Sequence, residues 1–258
     1  MDKPEILDDL NILGYLPTLN AEDNCVNDGV VAAWRHDKNM SAIALIPARA
    51  GSVRLPRKNI LPFVGKPLIA WSILSAKRAG VGRVVVSTDG NEIADIAMEF
   101  GAEVLERPKE LATSSSDTIS VVRHALADIP ASTLVLLQPT SPLRTANDIQ
   151  NCIAMHAESG RPIVSVTKAS PWLFWHNGSG LQKVSPPIDG DLVRPNGAVY
   201  VCSATAILGG KDWYDKPVPY LMPEERSVDI DTLADFHLAE ELARRQWTEH
   251  QPLLDPTT

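Results

Sequence analysis

From Ser41 onward, apolar and polar positions alternate in blocks. The runs Ala42–Ile46, Arg83–Ser87, Ala102–Leu105, Thr133–Leu137 and Ile163–Thr167 are short and largely apolar. That is the pattern of strands buried on both faces. Between them the period lengthens. Ile93, Ile96, Ala97 and Phe100 recur at i, i+3, i+4, i+7, and Gly101 supplies a stop. The segment "KPLIAWSILSAKRAG" predicts a helix ending at Gly80, and Thr118–Leu126 and Ala146–Ser159 predict two more, the last closed by Gly160. Strand alternating with helix predicts an α/β domain with a mostly parallel, Rossmann-like sheet covered on both faces. The runs "GAVYVCS" and "VPYLM" and a helix from Thr232 to Arg245 complete it.

Two stretches break the rhythm. Residues 1–39 show no sustained period and are read as an N-terminal extension outside the core, partly helical around Ile6 to Leu13. Residues 169–196 are rich in Pro, Gly and Trp and are read as an arm. Trp172, Phe174 and Trp175 would be costly exposed, so they pack on a partner subunit or fold back on their own domain. The expected core is therefore 40–168 with 197–247, followed by a tail, 248–258.

Composition narrows the partners. The chain has 258 residues, 44% hydrophobic and 22% charged, with a net charge of -8. That balance argues against a broad nucleic-acid or anionic-membrane surface, so any polyanionic ligand must be met by a local cluster of cations. Cys25, Cys152 and Cys202 lie far apart and fit no metal-ligand spacing, which suits reduced thiols in a cytoplasmic protein. No run reaches the length of a membrane span, and the acidic opening "MDKPEILDDL" is unlike a signal peptide.

Candidate chemistry collects where expected strands end. "ARAGSVRLPRKN" follows the first, "STDG" the second and "QPTSPLR" the fourth, while "VDIDT" follows a late extended run. Ligands of open parallel sheets bind outside those carboxyl ends. In the first loop, Ala50, Gly51 and Ser52 let amide groups approach an anion, and Arg49, Arg57 and Lys58 add charge. Neither G-x-x-x-x-G-K-[ST] nor G-x-G-x-x-G is present. Asp229 and Asp231, at i and i+2, point to one face of an extended segment and suit a hard cation; alternatively Asp231 caps the helix starting near Thr232. Gln138, directly off a buried strand, is a ligand candidate, while Thr140 and Ser141 also fit simple turn chemistry. His124 and His156 fall within helical patterns, and no Ser-His-Asp order, H-E-x-x-H or C-x-x-C occurs.

From Ala42 to Ala243 the order of "IPARAGS", "LPRKN", "VVVSTDG", "LLQPTSPLR", "RPNGAVYV" and "MPEERSVDIDT" resembles the CMP-N-acylneuraminate synthetases, cytidylyltransferases that activate sialic acid and related nine-carbon sugar acids. The resemblance implies a nucleotide-diphosphosugar-transferase fold, a dimerisation arm and a homodimer. It implies transfer of CMP from CTP to a free sugar acid, with Mg2+ and release of pyrophosphate. It implies catalytic roles for Lys58, Arg49, Asp229 and Asp231, the last two as metal ligands. Ala48, Arg49, Gly51, Ser52, Arg57, Lys58, Asn59, Arg107, Ser116 and Thr118 would bind the nucleotide. Gln138, Thr140, Ser141, Arg194 and Asn196 would meet the sugar acid, with Trp213 and Tyr214 near its acyl group. Two positions depart from the family: Val53 stands where Lys is usual, and Ser114 where Asp is frequent. Those departures open an alternative, an impaired paralogue that binds nucleotide as a dimeric scaffold. A synthetase acting on 3-deoxy-manno-octulosonate is the other alternative.

Overall fold

The computed structural model describes residues 42–169, 174–176, 178, 180–183 and 191–249. Strand β1 (Ala42–Pro47) leads through a long loop into a small hairpin, β2 (Pro62–Phe63) and β3 (Lys66–Pro67), and then helix α1 (Leu68–Arg78). Strict alternation follows: β4 (Arg83–Thr88), α2 (Asn91–Glu99), β5 (Glu103–Glu106), α3 (Thr118–Asp128), β6 (Thr133–Leu136), α4 (Ala146–Ser159) and β7 (Ile163–Lys168). A separate two-stranded piece, β8 (Phe174–His176) with β9 (Leu181–Lys183), precedes β10 (Val193–Ser203), α5 (Ala204–Leu208), β11 (Val218–Leu221) and α6 (Leu233–Glu249).

The main sheet runs β11-β7-β10-β6-β1-β4-β5. Only β10 is antiparallel to its neighbours; the other six strands share one direction. The expected α/β architecture with a mostly parallel sheet is therefore what the chain adopts. Because β1, β4, β5, β6 and β11 point the same way, the segments leaving them all emerge at one edge. That edge is where the site lies.

Period-two alternation splits the core. Ala44, Ile46, Val86, Val135 and Val199 face α1, α2 and α4 through Ile69, Ile73, Ile93, Ala97, Ile149 and Ile153. Ile43, Leu45, Val85, Leu134 and Leu136 face α3 and α5 through Val122, Ala125, Leu126 and Ile207. A third cluster joins Phe63, Leu68, Trp71, Phe236, Ala239 and Ala243 with Leu55 and Ile230, two residues from the loops that carry the site. Completely burying one such side chain stabilises by about 1.5–3 kcal/mol, enough to fix a loop to the core.

Helix ends follow their local chemistry. Asp117 caps α3 by accepting from the Ser120 N–H at 2.6 Å. Thr145 and Asp148 form a capping box on α4, and Gly160 ends it at φ 64°.

Most boundaries fall within two residues of expectation, and two differ by more. Val193, Arg194 and Pro195 already pair with Lys168, Thr167 and Val166, so residues 193–196 belong to the main sheet rather than the arm. The register shifts between Pro195 and Tyr200, so the pairing is interrupted where the strand enters the core. Helix α6 runs on to Glu249, past the expected end at Arg245. Residues 1–39, Trp172, most of the remaining arm and residues 250–258 lie outside the described residues.

Candidate active site

The loop after β1 is held from both sides. The buried Ala48 donates its N–H to the Ser87 carbonyl at 2.9 Å, and Ala50 donates to the Asp89 carboxylate at 2.8 Å. Ala50 also lies against Gly90, where an added Cβ would sit 2.9 Å from the Ala50 Cβ. Ser52 N–H closes back on the Ala50 carbonyl at 3.0 Å. The amides of Ala50 and Ser52, expected to face phosphate, are therefore committed within the protein. The cationic side chains of the loop supply its charge.

Those side chains diverge. Arg49 and Lys58 line the cleft, and so does Arg54. Asn59 donates to the Arg49 carbonyl at 3.0 Å and pins the base of the loop. Lys58 donates to the Ile230 carbonyl at 2.6 Å and reaches Asp231 at 3.2 Å. Arg54 pairs with the other Asp231 oxygen at 2.7 Å. Arg57 turns away: it adopts a left-handed φ of 57° and pairs with Glu92 outside the cleft lining.

Opposite the loop stand the two carboxylates. Ile230 is completely buried between them, so Asp229 and Asp231 both project into the cleft while Ile230 roots the segment in the third core cluster. Its N–H donates to the Thr140 carbonyl at 2.8 Å. The helix-cap alternative for Asp231 does not hold. Thr232 and Asp235 exchange the capping bonds of α6, at 3.3 Å and 2.7 Å, leaving the Asp231 side chain to the cations. Although Asp229 opens to the cleft, protein crowds its other sides, and this desolvation raises its carboxyl pKa. Asp231 adds to the rise, while the Thr140 hydroxyl, Lys58 and Arg54 oppose it.

Arg107, just beyond β5, closes the far wall. It is buried and donates to the Ser87 carbonyl at 2.6 Å and the Ser87 hydroxyl at 3.2 Å. Burial lowers its pKa to about 10, with Asp89 raising it and Arg49 lowering it further, so it stays cationic at neutral pH. Leu111 and Val121 give this wall an apolar surface, and Thr113, Ser116 and Thr118 give it hydroxyls. The cleft encloses about 390 Å³.

A family model described as cytidylyltransferase matches residues 43–176, just over half the chain. The chain belongs to the cytidylyltransferase family. Over 223 residues it is 37% identical to the CMP-N,N'-diacetyllegionaminic acid synthase of Legionella pneumophila, covering 79% of this chain and 96% of that protein. It is 32% identical to the N-acylneuraminate cytidylyltransferase of Escherichia coli, covering 76% of this chain but only 51% of that longer protein. A solved CMP:2-keto-3-deoxy-manno-octonic acid synthetase complexed with CTP superposes with a TM-score of 0.65 over 80% of this chain and 99% of that one. At 16% identity that likeness establishes the shared fold.

The cytidylyltransferase cleft gathers Arg49, Ser52, Lys58 and Asn59 from the first loop and Arg107, Ser116 and Thr118 from the far wall. Gln138 and Thr140 enter after β6, and Asp229 and Asp231 after β11. Other expected contacts fall elsewhere. Ala48 and Gly51 are absent from the lining, and an added Cβ at Gly51 would meet nothing within 4 Å. Ser141 is buried and donates to the Asn196 carbonyl at 3.1 Å. Asn196 accepts from Ser165 at 2.6 Å and donates to Ser227 at 2.9 Å, so its amide is spent inside the protein. The exposed Arg194 lies outside the lining.

Trp213 and Tyr214 also sit outside that lining. Trp213 is buried and packs on Tyr200 with ring centroids 5.6 Å apart, whereas Tyr214 is half exposed. Burial raises the Tyr200 pKa first, with Tyr214 and then Asp229 adding to the rise.

Two further residues act by positioning. Asp89 anchors the first loop, and the motif "STDG" had marked only a polar strand end. Arg144 is buried and bonds the Ala198 carbonyl at 2.7 Å, the Ser72 hydroxyl at 2.7 Å and the Gln138 carbonyl. Burial lowers its pKa to about 9, and Asp148 and Asp229 oppose that shift. It holds β10 against the segment carrying Gln138. Gly197, at φ 75°, lies so close that a Cβ there would meet Gln138 Oε1 at 2.6 Å.

Proposed function

We propose that the protein transfers CMP from CTP to the anomeric hydroxyl of a sialic-acid-like nine-carbon sugar acid. The hydroxyl oxygen forms the new bond to the α-phosphorus, the bond to the β-phosphate oxygen breaks, and pyrophosphate leaves. One observation carries this reading: in a cytidylyltransferase chain, Lys58 meets Asp231 beside Asp229, in a cleft also lined by Arg49. Phosphoryl transfers of this kind depend on positioning and charge neutralisation rather than a protein nucleophile. Arg49 and Lys58 serve as cations for the phosphates, and Lys58 stabilises charge developing on the departing pyrophosphate. Arg107 and the Thr113–Thr118 hydroxyls face the cytidine, with Leu111 and Val121 as apolar walls.

Asp229 and Asp231 suit a divalent cation, because both present oxygen donors on one face of the cleft. Among the described residues no group of three or more His, Cys, Asp or Glu could hold a metal, so phosphate oxygens and water would complete the shell, as Mg2+ favours. When bound, Mg2+ would neutralise phosphate charge and lower the pKa of the hydroxyl.

The relatives' names support a nine-carbon acid in this chain. Gln138 and Thr140 form the side of the cleft proposed for it, and Trp213 with Tyr214, outside the lining, are proposed to lie near its acyl group. A homodimer belongs to the same proposal and is checked by light scattering. Among the described residues no helix is long and apolar enough to cross a membrane.

Pyrophosphate release from CTP and Mg2+ tests the reaction with N-acetylneuraminic, legionaminic and pseudaminic acids, and with 3-deoxy-manno-octulosonate for comparison. Release with at least one nine-carbon acid is expected. Measurable CTP binding without release from any acid would replace catalysis with a nucleotide-binding scaffold.

A further inference from the structure

Four cations, Arg49, Arg54, Lys58 and Arg107, and two carboxylates, Asp229 and Asp231, line the cleft. Positive charge is thus concentrated here in a chain of net charge -8. Both oxygens of Asp231 are taken by that excess, Oδ1 by Lys58 at 3.2 Å and Oδ2 by Arg54 at 2.7 Å. The two cations are held very differently. The Lys58 side chain is 13% exposed and is fixed a second time by the Ile230 carbonyl at 2.6 Å. The Arg54 side chain is 68% exposed, and its neighbour Val53 is 74% exposed and brings no charge.

An ion pair as exposed as Arg54–Asp231 is screened by solvent and contributes little to stability. It is therefore cheap to exchange. A triphosphate carries several negative charges against one on Asp231, and its oxygens accept the planar guanidinium bidentately. When the stronger anion enters the same cleft, Coulomb attraction favours moving Arg54 onto it. The move would uncover Asp231 Oδ2 beside Asp229.

Resting on the CTP reading of this cleft, we propose that Arg54 is a mobile counter-ion that alternates between Asp231 and the phosphates of CTP. While on Asp231 it blocks one of the two carboxylates from a divalent cation. Once on the nucleotide it adds a cation at a position where Val53 supplies none. The metal is consequently admitted with the nucleotide rather than ahead of it.

Two binding constants test this on the full chain: Mn2+ alone, followed by paramagnetic resonance, and CTP with chelator present, followed by calorimetry. Arg54→Ala should bind Mn2+ alone about three- to fivefold more tightly, the scale of an exposed ion pair, and CTP about tenfold more weakly, the scale of one charge-assisted hydrogen bond. Arg54→Lys keeps the charge but not the fork, and should fall between Arg54→Ala and the wild type in both. A matched thermal midpoint for Arg54→Ala verifies that the fold is kept, as an exposed pair implies. A general loosening of the cleft would weaken both ligands; opposite shifts require the exchange. Unless the two constants move in opposite directions, the proposal is overturned. If wild type and Arg54→Ala bind CTP equally, this inference fails while the CTP reading stands. If the wild type binds no CTP, both fail.

Discussion

Lys58 bridges the two sides of the cleft, donating to the Ile230 carbonyl at 2.6 Å and facing Asp231 at 3.2 Å. One ammonium from the first loop thereby fixes the backbone of the acidic segment. Charge stabilisation and loop positioning reside in the same side chain.

Replacing that ammonium should separate rate from fold. Lys58→Ala is expected to lower kcat by about 10²–10³, the range for removing one preorganised electrostatic donor. Circular dichroism should show the fold retained. A kcat within threefold of wild type would reject the assigned role.

Arg57 provides the contrast, because it lies one residue away yet outside the cleft lining. Arg57→Gly relieves a left-handed backbone cost of about 1–2 kcal/mol and loses an exposed pair with Glu92 worth about 0–1 kcal/mol. Stability should hold or rise slightly, and KM for CTP should stay within about twofold. A large rise in KM would restore Arg57 to the nucleotide contacts.

Asp89 should act through the loop it anchors. Asp89→Ala removes the acceptor for the Ala50 N–H, and KM for CTP is expected to rise about three- to tenfold, the scale of one hydrogen bond. Asp89→Asn keeps a carbonyl acceptor and should recover most of that loss. Equal damage in both variants would point to charge rather than anchoring.

Gly197→Ala places a methyl against Gln138 at a φ of 75°. Backbone strain of about 1–2 kcal/mol is expected, read from urea denaturation, together with a raised KM for the sugar acid. Unchanged KM would remove Gln138 from that subsite.

Asp229 carries a pH dependence whose sign follows from its raised pKa. Its folded-state value lies above the unfolded one, so the folded form holds its proton more tightly. The contribution to stability falls as pH rises through the folded pKa. At pH 7, Asp229→Asn should therefore raise the thermal midpoint measured with chelator and, in a separate assay without it, abolish turnover with Mg2+. A lowered midpoint would show that the carboxylate stabilises the fold.

The alternation of elements was legible because buried strands and amphipathic helices impose different periods; α4 matches its expected bounds, Ala146–Ser159. The acidic pair was legible for the same reason, since i and i+2 share a face. What failed depended on tertiary partners. Nothing in "LPRKN" says that Arg57 twists left-handed toward Glu92 while Lys58 turns inward. The resemblance offers Asn196 as a sugar-acid contact, and the sequence does not reveal that its amide meets the distant Ser165 and Ser227. Thr232, rather than Asp231, took the cap because Asp235 completes a box with it.

The third apolar cluster gives the cleft a common footing. Leu55 enters it from the cationic loop and Ile230 from the acidic segment, and both meet the neighbourhood of Phe63, Trp71 and Phe236. The two jaws are thus bolted to one block, so their spacing is set by the hydrocarbon volume packed behind the charges. A change of packing at Phe236 would retune the reaction without altering a single polar group.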